Sequence, residues 1–433
     1  MGVDTCGRGG RQLTPFRFVH CADLHIDSPF RGVETGDAAV AERLRRASFE
    51  AFDAVVNLCL EERVDCLLIA GDVFDSADRS LRAQFRFLDQ MARLSAAGID
   101  SFVVHGNHDP LDGWIAELSY PERVTIFGPE VQAVPLQRRG ETLAVVHGVS
   151  YPTRNVQENL ALRYRADPGA SFNIGLLHCN AGADTGHESY APCTLQDLSA
   201  AGMDYWALGH VHRPRVLKDT SPTVCYPGTA QGRSPVETGE HGCYLAEVDE
   251  TGHVSLCLVP TDSVRWQSGV VALGEDDTLG DVRTAVGQHC EALARKAAGR
   301  DLIVRLTLEG RTNVSRELHR PGVVTDLVEA LRESLGTARP FVWLDRLTIS
   351  TRTPVDRESR SAGQDFVGEL LRQSQALAQS ADGLAALRAL LQPVFEHSRA
   401  PRHLREFSDP ELAEWLSQAE SRCLDLLVKE GEG

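Results

Sequence analysis

The stretch that decides the fold is CLLIAGDVFD, residues 66–75, in which an apolar run ends in a glycine and two aspartates. The apolar run predicts a buried strand, because it is short, uninterrupted and followed by turn residues. Gly71 allows the chain to turn sharply where that strand ends. The stretch therefore predicts a strand of a sheet that presents Asp72 and Asp75 at its carboxyl end.

The same arrangement of an apolar run and a polar ending recurs before and after this stretch. Strands are predicted at residues 16–20, 101–105, 143–147, 173–177 and 205–208, and helices at residues 40–63 and 81–97. Polar residues follow four of these strands: Asp23 and His25; Asn107, His108 and Asp109; His178; and His210 and His212. Because ligands bind at the carboxyl edge of open α/β sheets, we expect these side chains to meet in one cleft.

The side chains expected in this cleft are carboxylates, one amide and several imidazoles, without a thiolate. Such a set suits Mn²⁺, Fe or Zn²⁺ better than a soft metal ion. One carboxylate can bridge two ions, and two neighbouring cations create a binding place for a phosphate group. The alternative is that these residues serve turns and helix caps, since turns favour Asp, Asn and Gly. Five clusters after five predicted strands favour the metal centre.

The elements DLH, GDVFD, GNHD, a lone histidine after a strand, and GHVH, in this order, resemble the calcineurin-like metallophosphoesterase family. The resemblance implies an α/β fold, a layered β-sandwich flanked by helices. It also implies two divalent ions, with Mn²⁺ as the first choice and Fe, Zn²⁺ and Mg²⁺ as alternatives. By this resemblance Asp23, His25 and His212 hold one ion, Asn107, His178 and His210 hold the other, and Asp72 bridges both.

A mechanism follows from the same resemblance. A metal-bound hydroxide attacks phosphorus, both ions stabilise the transferred group, and His108 protonates the leaving oxygen as the general acid. Asp109 is expected to orient His108. Asp75 stands where Mre-type relatives often carry a histidine, so it is a candidate for substrate contact or, alternatively, for holding another side chain of the site. His187 and Arg233 are further candidates for substrate contact, and a structural role in a loop is the alternative for each.

Longer segments narrow the resemblance. FVHCADLHIDSPF, NIGLLHCN, HESYAPC, DYWALGHVHRP and YPGTAQGRSPVETGEHGC resemble the SbcD and YhaO group of bacterial DNA repair exonucleases, with the YhaO branch as the closer fit. This resemblance implies a Mn²⁺-dependent subunit that acts on DNA as an exonuclease and endonuclease. It also implies a homodimer that works beside an SbcC-like coiled-coil ATPase of the YhaN type.

The predicted elements divide the 433 residues into four segments. Residues 1–14 are expected to form a disordered tail, and residues 15–265 the metallophosphoesterase nuclease domain. After a loop at residues 260–267, a small α/β unit at residues 266–353 is expected to cap the site and bind DNA. Residues 354–433 are helical by pattern and are expected to bind the partner.

Composition limits the class of protein further. A net charge of −17 argues against a broad basic surface, so affinity for DNA has to come from bound metal ions or from a partner subunit. No apolar run approaches the roughly 18 residues of a membrane helix. The 11 cysteines lack a CxxC pair and are expected to be reduced thiols of a cytoplasmic protein.

Three other functions stay open at this point. They are a cyclic-nucleotide or small-phosphodiester hydrolase, a protein phosphatase, and a non-catalytic scaffold of an SbcC-like ATPase complex. The complete set of candidate ligands argues against the scaffold. The extra chain after residue 265 argues against the enzymes of small substrates, which do not need it.

Overall fold

The computed structural model describes residues 13–33, 37–75, 80–114, 116, 118–182, 190–336, 340–354, 357–396 and 407–427. Most of the tail predicted at residues 1–14, and the candidate His187, lie outside these described residues. Contacts divide the chain into two compact units. The first comprises Met1–Ser268, Cys290–Val304 and Leu335–Asp345, and the second Gly269–His289, Arg305–Ser334 and Arg346–Gly433.

Strands and helices both occur along the described residues. The strands are β1 (Phe16–Cys21), β2 (Cys66–Ala70), β3 (Asp100–Val104), β4 (Val124–Ile126), β5 (Gln132–Arg138), β6 (Glu141–Gly148), β7 (Asn173–His178), β8 (Tyr205–Gly209), β9 (Arg215–Lys218), β10 (Thr223–Tyr226), β11 (Gly242–Val248), β12 (Val254–Pro260), β13 (Val264–Ala272), β14 (Asp301–Arg311) and β15 (Val342–Arg352). The α-helices are α1 (Ala38–Glu62), α2 (Leu81–Ala96), α3 (Leu195–Ala200), α4 (Leu279–Lys296), α5 (Ser315–Leu318), α6 (Val323–Leu335), α7 (Arg357–Ser361), α8 (Phe366–Gln379), α9 (Ala381–Glu396) and α10 (Asp409–Leu427). A 3-10 helix spans Leu160–Arg163.

Two six-stranded sheets form the centre of the first unit. Their strand orders are β12-β11-β1-β2-β3-β4 and β5-β6-β7-β8-β10-β9. Strands β1 to β4 are parallel, as are β6, β7, β8 and β10. One buried core contains Phe18, Leu68 and Phe102 from the first sheet and Val146, Ile174 and Leu176 from the second. The sheets therefore pack face to face, and the predicted layered β-sandwich is confirmed.

Helices cover the outer faces of both sheets. Helix α1 begins after Asp37, whose carboxylate accepts the backbone N–H of Val40 at 3.0 Å, and α2 begins after Ser80, whose hydroxyl accepts that of Ala83 at 3.0 Å. The apolar faces of α1 and α2 pack on the first sheet, and α3 and the 3-10 helix pack on the second. Because both faces of each sheet are covered, the central strands are almost continuously apolar.

The chain after residue 260 forms a three-stranded sheet, β13-β14-β15, and further helices. Strand β13 begins at Val264, so the loop predicted at residues 260–267 ends earlier than expected. Val264 and Trp266 of this strand are buried. The local sequence shows no strong alternation of apolar and polar residues, so the start of the strand depends on this packing. In the second unit α8 packs on α9 and α10, which confirms the predicted helical C-terminal part. Of the helices described, none combines the length and apolar character needed to cross a bilayer.

Candidate metal centre

Polar side chains at the ends of five strands come together in the first unit. Asp23 and His25 follow β1, Asp72 follows β2, Asn107 and His108 follow β3, His178 ends β7, and His210 and His212 follow β8. The first three strands belong to one sheet and the last two to the other. The cleft expected at one sheet edge is therefore built from the edges of two packed sheets.

Four of these residues lie in the left-handed region of backbone conformation. The φ angle is 50° at Asp23, 42° at His25, 52° at Asp72 and 107° at His210. Each such conformation costs on the order of 1–3 kcal/mol for a residue with a side chain, and residues of this kind cluster at functional sites. Two hydrogen bonds hold the turns together: Asp23 N donates to Gly71 O and His25 N donates to Asp72 O, both at 3.0 Å.

One group of ligand atoms, the first donor set, consists of Asp23, His25 and His212. Its atoms all lie within 4.8 Å of one another. His25 Nε2 lies 3.3 Å from His212 Nε2, and His212 Nε2 lies 3.9 Å from Asp23 Oδ1. His212 Nδ1 lies 2.6 Å from a carboxylate oxygen of Glu237 and donates to it, so in the neutral form of the ring the lone pair is on Nε2. A lone pair that faces other ligand atoms at this distance fits a bound cation.

The residues predicted to hold the second ion, Asn107, His178 and His210, are called the second donor set. His178 Nδ1 donates to the carbonyl oxygen of Ala70 at 2.9 Å, which leaves a lone pair on Nε2. That Nε2 lies 3.0 Å from Asn107 Oδ1, and the ring of His210 lies 5.3 Å from that of His178, centroid to centroid. An imidazole nitrogen and an amide oxygen, both able to accept, again face each other as ligands of a cation would.

Asp72 lies between the two donor sets. Its Oδ2 is 3.5 Å from His178 Nε2 and 3.9 Å from His25 Nε2. Its Oδ1 accepts the backbone N–H of His108 at 2.9 Å. Asp72 is thus the carboxylate whose position suits a ligand shared by two ions.

Burial makes the two carboxylates of this centre sensitive to nearby positive charge. Burial, together with the negative charge of Asp72, raises the pKa of Asp23 well above its usual range, and burial raises the pKa of Asp72 to about 7. Burial also lowers the pKa of His178 to about 4, so its imidazole is neutral. Two buried carboxylates are costly as charged groups, and nearby positive charge, part of which His108 and Arg233 supply, lowers that cost. The residues present therefore fit a pair of divalent ions.

His108 lies beside the first donor set and is oriented by Asp75. His108 Nδ1 donates to Asp75 Oδ1 at 3.2 Å, and the ring lies 4.9 Å from that of His25. Burial acts to lower the pKa of His108, but the hydrogen bond to Asp75 and the charge of Asp72 outweigh it and raise the pKa. The second ring nitrogen of this partly exposed histidine is left for a substrate.

Asp109, which we expected to orient His108, instead contacts other groups. Its carboxylate accepts hydrogen bonds from His105 Nδ1 at 3.0 Å and from the backbone N–H groups of Gly106 at 2.7 Å and Val73 at 2.8 Å. Asp109 therefore ties the turn after β2 to the turn after β3. Successive residues of a tight turn point in different directions, so Asp109 does not contact the ring of His108. The carboxylate that orients His108 is that of Asp75, in the GDVFD segment.

Arginines lie around His108 and Asp75. Arg233 is 6% exposed, and its Nε and Nη1 have no hydrogen-bond partner among the described residues. Its backbone is fixed, because its carbonyl oxygen accepts the N–H of Arg31 at 2.8 Å. Arg31 Nη2 lies 3.6 Å from Asp75 Oδ2, and the charge of Arg154 acts to lower the pKa of His108. These guanidinium groups give an overall acidic chain a local positive charge.

Glu237 belongs to this centre, and the sequence did not predict it. Burial acts to raise its pKa, but hydrogen bonds from His212 and the backbone of Arg233 help to lower the pKa to about 2. Metal-binding histidines commonly donate their other ring N–H to a carboxylate, which is the signal that points to such a residue. The partner lies 25 residues after His212, and no fixed spacing identifies it among the many acidic residues.

Comparison with known proteins places this geometry in context. The family model described as Calcineurin-like phosphoesterase matches residues 16–214, and that described as Metallophosphoesterase YhaO, middle domain, matches residues 266–352. The chain is 35% identical to the uncharacterized metallophosphoesterase YhaO of Bacillus subtilis over 414 residues, which cover 94% of this chain and 97% of YhaO.

Two nucleases or repair proteins are more distant relatives. The DNA double-strand break repair protein Mre11 of Methanopyrus kandleri is 28% identical over 288 residues, 60% of each chain. The SbcD component of the nuclease SbcCD of Bacillus subtilis is 24% identical over 297 residues, which cover 60% of this chain and 70% of that protein. The similarity thus extends over nearly all of YhaO and over about two thirds of these relatives.

Proposed function

The chain belongs to the calcineurin-like phosphoesterase family, and from this membership we propose that it is a phosphodiesterase that cuts DNA as a nuclease subunit in DNA repair. One observation carries the proposal. Asp72 lies between two donor sets, and the oriented His108 lies beside the first of them. Phosphodiester hydrolysis uses such a pair of ions together with a proton donor.

We propose Mn²⁺ for both positions. Asp23, His25 and His212 would hold one ion, Asn107, His178 and His210 the other, and Asp72 would contact both. The mixture of carboxylate, amide and imidazole ligands without a thiolate supports this choice. When bound, two such ions supply a nucleophilic water at neutral pH and stabilise negative charge on the phosphate.

His108 is proposed to donate a proton to the leaving oxygen. The hydrogen bond to Asp75 fixes the proton on Nδ1 and stabilises the charged ring, so that Nε2 also carries a proton to give. The ring is 26% exposed, which leaves it accessible to a substrate. Asp75 acts through His108 and is a positioning residue.

Arg233 is proposed to bind a non-bridging oxygen of the phosphodiester. A buried guanidinium with unpaired N–H groups is costly, and a phosphate supplies the acceptors that it lacks. Arg31, which lies beside Asp75, and Arg154, whose charge acts on His108, are proposed to contact neighbouring phosphates of the same strand of DNA. Such local contacts would let a chain with a net charge of −17 bind DNA without a broad basic surface.

DNA as the substrate, and an ATPase as the partner, are supported by the relatives. One is a DNA double-strand break repair protein, and another is a component of a nuclease with more than one subunit. We propose that the C-terminal helices bind an SbcC-like ATPase, and exposed apolar residues such as Leu390 (76%) and Trp415 (54%) support that role. We also propose that the chain forms a homodimer.

Hydrolysis of a labelled linear duplex and of bis-p-nitrophenyl phosphate tests the proposal. Three proteins are assayed, each in the presence of Mn²⁺ or of a chelator: the wild type, His108→Ala and His253→Ala. The last is the control, because it replaces an exposed histidine of a turn. We expect Mn²⁺-dependent DNA cleavage that falls by at least about a hundredfold in His108→Ala and stays unchanged in the control.

The other outcomes select other functions. Cleavage of the small ester without cleavage of DNA overturns the nuclease proposal and favours a small-phosphodiester hydrolase. Binding of Mn²⁺ without cleavage of either substrate overturns the enzymatic proposal and favours the scaffold. Cleavage of DNA that persists in His108→Ala overturns the role of His108 alone.

A further inference from the structure

Both oxygens of the Glu237 carboxylate are engaged. Oε1 accepts from His212 Nδ1 at 2.6 Å, and Oε2 accepts the backbone N–H groups of Arg233 at 2.7 Å and Ser234 at 3.0 Å. The side chain is 12% exposed. A carboxylate fixed by two backbone donors on one side presents its other oxygen to the imidazole in one orientation.

The backbone around Glu237 is held as well. Its N–H donates to Ser234 O at 3.0 Å, and its carbonyl oxygen lies 3.2 Å from His241 Nε2. A Cβ atom added to Gly232 would come within 2.8 Å of that carbonyl oxygen, so the segment is closely packed there. Glu237 is therefore a rigid support and not a surface side chain that happens to touch a histidine.

The contact with Glu237 determines which nitrogen of His212 carries the proton. Because a carboxylate only accepts, His212 Nδ1 carries the proton and Nε2 presents a lone pair. That Nε2 points toward His25 Nε2 at 3.3 Å and Asp23 Oδ1 at 3.9 Å. His212 is 22% exposed, and loss of Glu237 would remove the contact that fixes the proton on Nδ1 and helps to hold the ring in this orientation.

We infer that Glu237 is a positioning residue that holds His212 in the first donor set and thereby raises the affinity of that set for a divalent cation. The inference rests on the proposed two-ion site. It adds to the ligand set a residue from the segment that also carries Arg233, so one carboxylate holds both a metal ligand and the backbone of the proposed phosphate ligand.

Calorimetric titration of the full chain with Mn²⁺ tests this inference. The wild type is expected to bind two ions. In Glu237→Ala one of the two affinities should fall by about 10-fold to 100-fold while the other stays unchanged, since loss of such an outer partner costs about that much. Glu237→Gln keeps an oxygen that accepts from Nδ1 and should restore most of the affinity.

Glu240→Ala is the matched control. Glu240 lies three residues later, is 58% exposed and pairs with Arg265 at 3.1 Å, away from His212. The Glu240→Ala variant should bind Mn²⁺ with the same two affinities as the wild type. Thermal unfolding of each variant reports whether the fold is intact.

Two results would overturn the inference. One is unchanged Mn²⁺ binding in Glu237→Ala. The other is a lowered unfolding temperature in both Glu237 variants with both Mn²⁺ affinities retained, which would make the role of Glu237 purely structural. A wild type that binds two Mn²⁺ ions and cleaves no DNA defeats the proposed function but leaves this inference standing, so the two failures are distinguishable.

Discussion

The floor and the rim of the candidate centre are held in different ways. The floor consists of Asp23, His25, Asp72 and His178, which are at most 1% exposed. The rim consists of His108 and His212, whose side chains are 26% and 22% exposed. Three floor residues lie in left-handed turns, and the fourth is bound to a backbone carbonyl. Each rim histidine is held instead by a carboxylate from another segment.

This difference shows what each part of the centre depends on. The floor is determined by how strands end and how closely the two sheets approach, so its ligands move only if the backbone moves. The rim depends on single hydrogen bonds between side chains. Substitutions in the floor should therefore remove metal ions or destabilise the fold. Substitutions in the rim should change the rate of hydrolysis or the affinity for metal ions while the protein stays folded.

The largest effect is expected from Asp72→Asn, which removes charge from the middle of the floor. We expect the rate of hydrolysis to fall by at least about a thousandfold, because the ions contribute several kcal/mol to the transition state. The Mn²⁺ content, measured by mass spectrometry after dialysis, should fall in parallel. Asp89→Asn, on an exposed position of α2, is the control. Full Mn²⁺ content in Asp72→Asn would show that Asp72 is not a shared ligand.

Gly209→Ala tests the close approach of the sheets under the floor. A Cβ atom at this position would lie 1.8 Å from Ala70 O, the acceptor of His178, so β8 and β2 would have to separate. We expect the free energy of unfolding to fall by up to about 3 kcal/mol. Chemical denaturation measures it.

Gly287→Ala is the matched control for this substitution. A Cβ atom there would meet nothing within 4 Å, and in helix α4 it should stabilise the protein by about 0.5–1 kcal/mol. Equal stability of Gly209→Ala and the wild type would contradict the tight packing of β8 on β2.

Asp75→Asn tests the rim. We expect kcat to fall by about 10-fold to 100-fold at unchanged Mn²⁺ content, because the charge that stabilises protonated His108 is lost. Since Asp75 raises the pKa of His108, its replacement should move the alkaline limb of the pH–rate profile to lower pH. Asp112→Asn, at an exposed position, should leave the profile in place. Loss of Mn²⁺ from Asp75→Asn would instead place Asp75 among the ligands.

The smallest effect concerns His20, which lies in β1 behind the floor. Burial lowers its pKa to about 3, while hydrogen bonds join it to Tyr205 and Leu208. The unfolded chain therefore takes up the proton first, and the contribution of neutral His20 to stability is present above about pH 6.5 and is lost as the pH falls toward 3.

Between pH 6.5 and 5.5 this loss amounts to about 1 kcal/mol. Unfolding by urea at several pH values, in the wild type and in His20→Gln, isolates it as the difference between the two slopes. Equal slopes would mean that the pKa of His20 is the same in the folded and the unfolded protein.

The sequence predicted the parts of the fold that are long or fully buried. The apolar run that begins at Cys66 forms β2 as predicted, and the bounds predicted for α2 agree with the structure to within one residue, because one is a continuous apolar run and the other a regular amphipathic helix. The short strands β4, β9 and β10 were missed, since three or four residues show no periodicity. Neighbouring strands, and not the local sequence, fix these elements.

The same distinction applies to the candidate site. The floor residues follow strands directly, so their approach could be predicted, while their roles as ligands and the domain boundaries stay predictions. His20, His105 and His147 are buried, and the ring of each lies within hydrogen-bond distance of another side chain. The partners at the rim were not predictable: Asp109 follows His108 in sequence but faces away, and Glu237 reaches His212 only through the fold.

The left-handed turns at Asp23, His25, Asp72 and His210 have a consequence for how this protein changes under selection. Glycine would adopt these conformations without strain, so metal binding keeps at each of them a side chain whose backbone conformation costs stability. A library selected for hydrolysis should therefore retain the aspartates and histidines at these four positions. Stabilising substitutions should accumulate at other positions of the chain.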